Sequence, residues 1–279
     1  MEQLVTPLEV REVVFATAKE KRQHYKEQAI SRVGETRTNK LGSSMIVDEY
    51  NNSQDIWVRF PQGNMVNCTW HTFVTGNVKN VYDKSLFGVG FIGEGKYKPT
   101  VNGKSTEQYK VWAAMLQRCY SLRQQEKQPT YKGCTVAEEW HNFQNFATWY
   151  DENYYEIDGH RTHLDKDILQ KGNKIYSPDT CVLVPQFING LFIKRDKLRG
   201  DLPIGVKTCS RYPNKYEVRC NNNKGKRVYL KTFDTPEEAF QVYKEYKEKL
   251  IKDIAEEYKG RLPDALYNAM FSYRVEITD

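Results

Sequence analysis

His160 to Leu191 reads HRTHLDKDILQKGNKIYSPDTCVLVPQFINGL, and this stretch decides how the rest of the chain is interpreted. From Thr162 to Leu169, apolar Leu164, Ile168 and Leu169 stand among charged positions, which predicts a strand. Gly172-Asn173 then breaks the run as a hairpin turn does. Cys181 to Val184 is a short apolar strand. Pro185 suits the first turn of a helix carrying Phe187, Ile188, Leu191 and Phe192. Acidic residues and an imidazole crowd the first strand. His163 and Asp165 lie two positions apart, so a strand points both to one face.

A strand, turn, strand and helix in this order form a ββα-metal hairpin. The residues Leu164-Asp165, Gly172-Asn173, Tyr176-Ser177-Pro178, Cys181, and Gln186 with Asn189 resemble the core of phage-type His-Asn-His (HNH) endonucleases. The resemblance implies a metal-dependent nuclease in which Asp165 and Asn189 hold one divalent cation, Mg²⁺ by class, with Asp167 assisting. Such a site needs a base beside the metal to make water attack a phosphate. Lys166 stands where the family has its base, and Thr180 where it has the Asn that orients the base. An ordinary lysine is protonated at neutral pH and accepts no proton. His163 is the imidazole able to replace it. The opposing interpretation has Asp165 and Asp167 paired with Lys166 and Lys171, and His163 merely packed.

The wording Trp112-x-x-Met115-Leu116-x-Arg118-Cys119-Tyr120, Tyr131-x-Gly133-Cys134-x-Val136 and Trp140-x-x-Phe143-x-x-Phe146 resembles the stretch ahead of the metal motif in the same phage proteins. Tyr109, Trp112, Ala113, Leu116 and Tyr120 also recur at helical spacing, as do Trp140, Phe143, Phe146, Ala147 and Tyr150, so two core-facing helices are expected. Arg118 is placed either to meet a phosphate or to form a surface ion pair.

Charge distribution points to the partner. The net charge is +6, yet Phe192 to Thr232 holds twelve Lys or Arg against three Asp or Glu, a local +9 that leaves −3 for the remainder. A concentrated basic stretch suits a polyanion. Three short strands are expected there, Ile204 to Cys209, Tyr216 to Cys220 and Val228 to Phe233. A long helix follows from Thr235-Pro236-Glu237-Glu238, a cap with Pro at the first helical position and acids in the first turn. Ile204-Gly205-Val206, Lys215-Tyr216-Glu217-Val218-Arg219 and Phe233-Asp234-Thr235-Pro236-Glu237-Glu238-Ala239 resemble the APETALA-type (ethylene-response-factor) DNA-binding domain. That resemblance implies a sheet lying in the major groove, with Arg211, Lys215, Arg219, Lys226, Arg227 and Lys231 as DNA contacts.

Elsewhere the chain is plainer. Thr6-Pro7-Leu8-Glu9 starts an amphipathic helix, a packing arm or oligomer contact. Ser44 to Tyr82 alternates as a small antiparallel β-domain, in which Trp57, Trp70 and Phe73 are core or a base-stacking platform. Phe87 to Gly95 is Gly-rich but lacks the Lys-Ser/Thr of a nucleotide loop, which leaves a linker or a turn with close backbone approach. Six cysteines with no Cys-x-x-Cys pair indicate buried thiols. No apolar run has the length of a membrane span and no leader pattern opens the chain, so a cytoplasmic protein is expected.

The expected organisation is an α+β protein: an N-terminal helical arm (1–43), a small β-domain (44–86), an HNH-like ββα-metal core (105–195) and a DNA-binding sheet-plus-helix domain (200–279). The expected function is a DNA-binding, metal-dependent endonuclease. The alternative is a catalytically inactive HNH-like phage protein that regulates DNA or inhibits a host defence protein.

Overall fold

The computed structural model describes residues 17–193, 201–222 and 225–279. The helix start at Thr6-Pro7 and the basic residues Lys194, Arg195, Lys197, Arg199 and Lys224 lie outside the described residues. The chain is of the α+β class and divides into two compact units, the first ending at Glu94 and the second spanning Gly95–Asp279.

In the first unit, Thr17 and Glu20 form a reciprocal capping box at the start of α1 (Ala18–Arg32). Four strands, β1 (Thr36–Thr38), β2 (Ser44–Asn52), β3 (Asp55–Arg59) and β4 (Met65–Cys68), pair antiparallel in sequence order. Their alternation puts Met45, Val47, Tyr50, Ile56 and Val58 in one core with Phe60, Phe73 and Val78. The last strand is shorter than its sequence pattern predicts. The Thr69 hydroxyl accepts from the Thr72 N–H and starts α2 (Trp70–Val74), which drops Phe73 into the core. Trp57 faces outward, Phe73 is fully buried, and Trp70 lies 4.1 Å beneath the Arg32 guanidinium, so the three aromatics form no common platform. Leu86 pairs with Gly90 around a tight turn at Phe87 and Gly88, both at positive φ.

The second unit opens with a hairpin of β5 (Thr100–Val101) and β6 (Lys104–Ser105). Helix α3 (Glu107–Tyr120), capped by Thr106, is followed by α4 (Leu122–Lys127), β7 (Thr135–Val136) and α5 (Phe143–Asn153). Trp112, Met115 and Leu116 of α3 meet Trp140, Phe143 and Phe146, and the Trp112 indole donates to the Trp140 carbonyl at 2.7 Å. Gly95 passes so close to Gln144 that a Cβ would fall 2.3 Å from its amide oxygen, while that amide brackets the Tyr97 backbone.

The hairpin that follows is β8 (Thr162–Asp165) against β10 (Val182–Pro185), with Asp165 opposite Val182 and His163 opposite Val184. The strand expected to reach Leu169 stops at Asp165, because that carboxylate accepts the Asp167 and Ile168 N–H groups and turns the chain. Gly172 makes the expected turn at φ 83°. Ahead of Val182, β9 (Ile175–Tyr176) pairs parallel with β7. Helix α6 (Gln186–Asn189) runs on as a 3₁₀ turn, Gly190–Phe192.

Strands β11 (Val206–Thr208), β12 (Tyr216–Asn221) and β13 (Arg227–Phe233) form an antiparallel sheet in sequence order. Helix α7 (Pro236–Glu257), capped by Thr235, crosses it. The N-terminal half of α7 buries Ala239, Phe240 and Tyr243 against Val206, Val218 and Cys220. Its C-terminal half buries Leu250, Ile251, Ile254 and Ala255 against Val182, Val184 and Ile188 of the hairpin and against Leu266 and Met270 of α8 (Asp264–Ser272). After α8 the chain forms no strand. Instead the Val275 N–H donates to the Glu248 carboxylate, which satisfies the backbone without a ladder.

Because α7 serves both cores, Ile251→Ala should cost about 2–5 kcal/mol and shift the unfolding of sheet and hairpin together. Guanidinium denaturation followed by fluorescence and by hydrogen exchange in β10 and β12 checks this; two separated transitions would contradict it.

Candidate functional site

Alternation along β8 sorts the residues of the hairpin. Leu164 and Lys166 are buried, whereas His163 is exposed and Asp165 half-buried on the opposite face. His163 and Asp165 share a cleft of about 780 Å³ with Asn189 from α6, Arg118 from α3 and Tyr176 from β9. Lys171 and Lys174 line it as well.

Each side chain has a definable state. One Asp165 oxygen holds the turn, accepting from Asp167 N at 2.9 Å and Ile168 N at 2.8 Å. Oδ2 accepts no N–H among the described residues. Burial pushes the Asp165 carboxyl above the usual carboxylate range, the Asp167 charge pushes it further, and the two N–H groups oppose. His163 moves the other way. Partial burial lowers its pKa, and Arg118 and Arg161 lower it further, which favours the neutral ring. Its Nδ1 lies 3.3 Å from the Asn189 amide nitrogen. Donation by that nitrogen leaves the ring proton on Nε2, while the reversed amide holds it on Nδ1 and frees Nε2.

Arg118 reaches the cleft from the helix ahead of the hairpin. Its guanidinium donates to the Tyr176 hydroxyl at 3.1 Å and has no carboxylate partner among the described residues. The Tyr176 hydroxyl is in turn pushed above its ordinary value, chiefly by burial. Lys174 donates to the Thr130 carbonyl, and Lys171 pairs with Asp279 at 2.7 Å. Tyr273, from the segment after α8, completes one wall, a contribution with no signal in the sequence.

Lys166, which the resemblance sets where a base would stand, has another job. Only 6% exposed, it donates to the Asp167 carboxylate at 2.9 Å and to the Asn173 carbonyl at 2.8 Å, tying the loop across its own turn. Asp167 is therefore engaged by Lys166. Thr180 bonds the Ser177 hydroxyl and the Ile175 carbonyl and is not among the cleft residues, so the polar neighbour of His163 is Asn189. Among the described residues no three His, Cys, Asp or Glu converge to hold a metal by themselves. The available oxygen donors are a carboxylate oxygen of Asp165 and the amide oxygen of Asn189. Such a set suits a Mg²⁺-like ion that keeps several waters and takes substrate phosphate. The cysteines are free, and burial pushes Cys119 and Cys181 to about 12, so these thiols stay protonated.

The basic sheet distributes its six expected contacts unevenly. Arg219 and Tyr229 are register partners, as are Asn221 and Arg227. Arg219, Lys207 and Glu217 form one group: the 5% exposed Glu217 carboxylate binds Lys207 at 2.6 Å and Arg219 at 3.2 Å. Burial pushes Glu217 up, but these two cations outweigh it and hold the carboxyl below its ordinary value. Lys215 pairs with Asp234 at 2.6 Å. Lys231 is registered opposite buried Val218 and lies over the Phe233 ring, apart from Arg219 and Arg227. Arg211, Lys226 and Arg227 are exposed, and Arg227 has no ion-pair partner among the described residues.

Comparison of the chain with models of known families, with curated proteins and with solved structures finds no match. No helix among the described residues is long and apolar enough to cross a membrane.

Replacing Lys166 by Met should lower stability by about 1–3 kcal/mol, the cost of leaving buried polar partners unmade, and should leave the pH profile of any activity unchanged. A urea titration and a pH series on the variant check both; a displaced profile would return Lys166 to the chemistry.

Proposed function

We propose that the protein is a DNA-binding, metal-dependent endonuclease acting in the cytoplasm of a host cell, as phage nucleases of the resembled type do. The observation that carries this is the convergence of His163, Asp165, Asn189 and the carboxylate-free Arg118 in one cleft. Asp165 and Asn189 are the residues that would hold one Mg²⁺-like ion. Such an ion, when bound, polarises a phosphate and stabilises the leaving oxygen. Neutral His163 takes the proton from the attacking water, and the Asn189 amide beside it orients the ring. Arg118, held by Tyr176, offsets phosphate charge. Asp167 assists through its charge next to Asp165, although its carboxylate is tied to Lys166. The exposed cations of the three-stranded sheet bind the DNA backbone, with Arg227 the least encumbered by protein partners.

A second reading is favoured by one specific observation, the burial of Lys166 where the resembled family keeps its base. In that reading the hairpin is a catalytically inactive scaffold that regulates DNA or binds and inhibits a host defence protein.

Nicking of supercoiled DNA in Mg²⁺ or Mn²⁺ separates the two. The endonuclease reading expects metal-dependent nicking that EDTA abolishes and that Asp165→Ala and His163→Ala each reduce by about 10²-fold or more. Inactivity of the parent protein with DNA binding intact would sink it in favour of the regulator. On the sheet, Arg227→Ala should weaken DNA binding roughly tenfold and lower the salt slope by about 1. Fluorescence anisotropy from low to moderate salt measures both, and an unchanged slope would remove Arg227 from the interface.

A further inference from the structure

The buried stripe of α7 contains one charged residue. Lys247 follows Tyr243 by one turn and precedes Ile251 and Ile254 on the same face. It is 8% exposed, and among the described residues its ammonium makes no hydrogen bond or ion pair. A charged end on so buried a stem is desolvated unless it reaches water or a ligand. Burial accordingly lowers its pKa, with the neighbouring Cys220 opposing.

Lys247 lines a cavity of about 930 Å³ beside the sheet, separate from the hairpin cleft. Phe187, Ile204, Tyr243 and Ile254 supply an apolar lining. Four cations line it, Lys207, Arg219, Arg227 and Lys247, and no Asp or Glu is among its described lining residues. Glu217 pairs with both Lys207 and Arg219, so among the described residues these four cations face one carboxylate and the cavity carries an excess of positive charge. That excess suits a phosphate monoester, whose charge is close to −2 at neutral pH. The cavity is of the size and mixed character that ligand sites have.

We propose that this cavity binds a small organic phosphate monoester of the nucleoside monophosphate class, with Lys247 and Arg227 taking the phosphate and the apolar lining taking the body. The site is distinct from the nuclease-like cleft and does not depend on its activity. Lys247 anchors the ligand from the floor, and Arg227 closes on it from the sheet.

Thermal unfolding and calorimetry of the full chain with adenosine monophosphate, adenosine and inorganic phosphate test the assignment. Adenosine monophosphate should raise Tm and bind the parent protein, while adenosine and inorganic phosphate each bind at least tenfold more weakly. Lys247→Met should fold, since Met keeps the length and apolar character of the buried stem, yet lose the Tm shift. Arg227→Gln, at an exposed position, should weaken binding about tenfold. DNA affinity of Lys247→Met should be unchanged. The assignment is overturned by the absence of any shift with millimolar adenosine monophosphate, by a shift that survives in Lys247→Met, or by equal binding of inorganic phosphate. A parallel loss of DNA and nucleotide affinity in Lys247→Met would also overturn it, because Lys247 would then serve the DNA surface together with Arg227 and not a separate nucleotide site.

Discussion

Burial along α7 is the constraint on which the second unit depends. One helix covers the three-stranded sheet with its first half and the β8–β10 hairpin with its second, through Phe240 and Tyr243 on one side and Ile251 and Ile254 on the other. The three-stranded sheet packs its apolar face on α7, and the hairpin packs Val182 and Val184 there while burying Leu164 and Leu183 on its other face. A two- or three-stranded sheet is marginal unless something packs on its apolar face, so each depends on the same 22-residue helix. The regions anticipated at 105–195 and 200–279 thus share a packing element.

Strand parity does the equivalent work at the cleft. Odd-numbered His163 and Asp165 face the cleft because even-numbered Leu164 is needed in the core, and Lys166 follows Leu164 inward. There its ammonium finds Asp167 and the Asn173 carbonyl, so Lys166 becomes a brace for the turn. Asp165 likewise has two roles. One oxygen ends the strand, and the other is left free of N–H donors, which makes the turn and the candidate ligand inseparable. An acid whose neutral form is favoured by burial and by a neighbouring carboxylate stands ready for a cation to restore its charge.

The electrostatics of the sheet are less uniform than the local +9 implies. Glu217 at its centre takes up Lys207 and Arg219, and Asp234 takes up Lys215, so these cations carry less free charge than a count assigns them. Among the described residues Arg227, at the start of β13, has no ion-pair partner, and Lys247 beneath the sheet is buried with no carboxylate bonded to it. Net charge in a segment sets the sign of its partner; the ion pairs already formed set which residues are available to it.

Local chemistry alone determined much of this protein. Thr106 and Thr235 as caps, Gly172 as a left-handed turn, the aromatic stripes of α3 and α5 and the order of the three basic strands all follow from short-range propensity and period, and all are present. The pairing of His163 with Asp165 on one face was legible for the same reason, since parity is a property of the strand itself. Other features needed the tertiary structure. Thr69 ended a strand whose alternating residues ran on to Gly76, because a side-chain cap competes with a ladder only where the next apolar residue, Phe73, has a core to enter. Arg118 and Tyr273 reached the cleft from distant segments, the inward turn of Lys166 followed from partners supplied across the loop, and Lys247 joined an apolar stripe from which its type would exclude it. In each of these cases the deciding energy is desolvation, and how much water a side chain loses is set by neighbours far away in the chain, which no local pattern records.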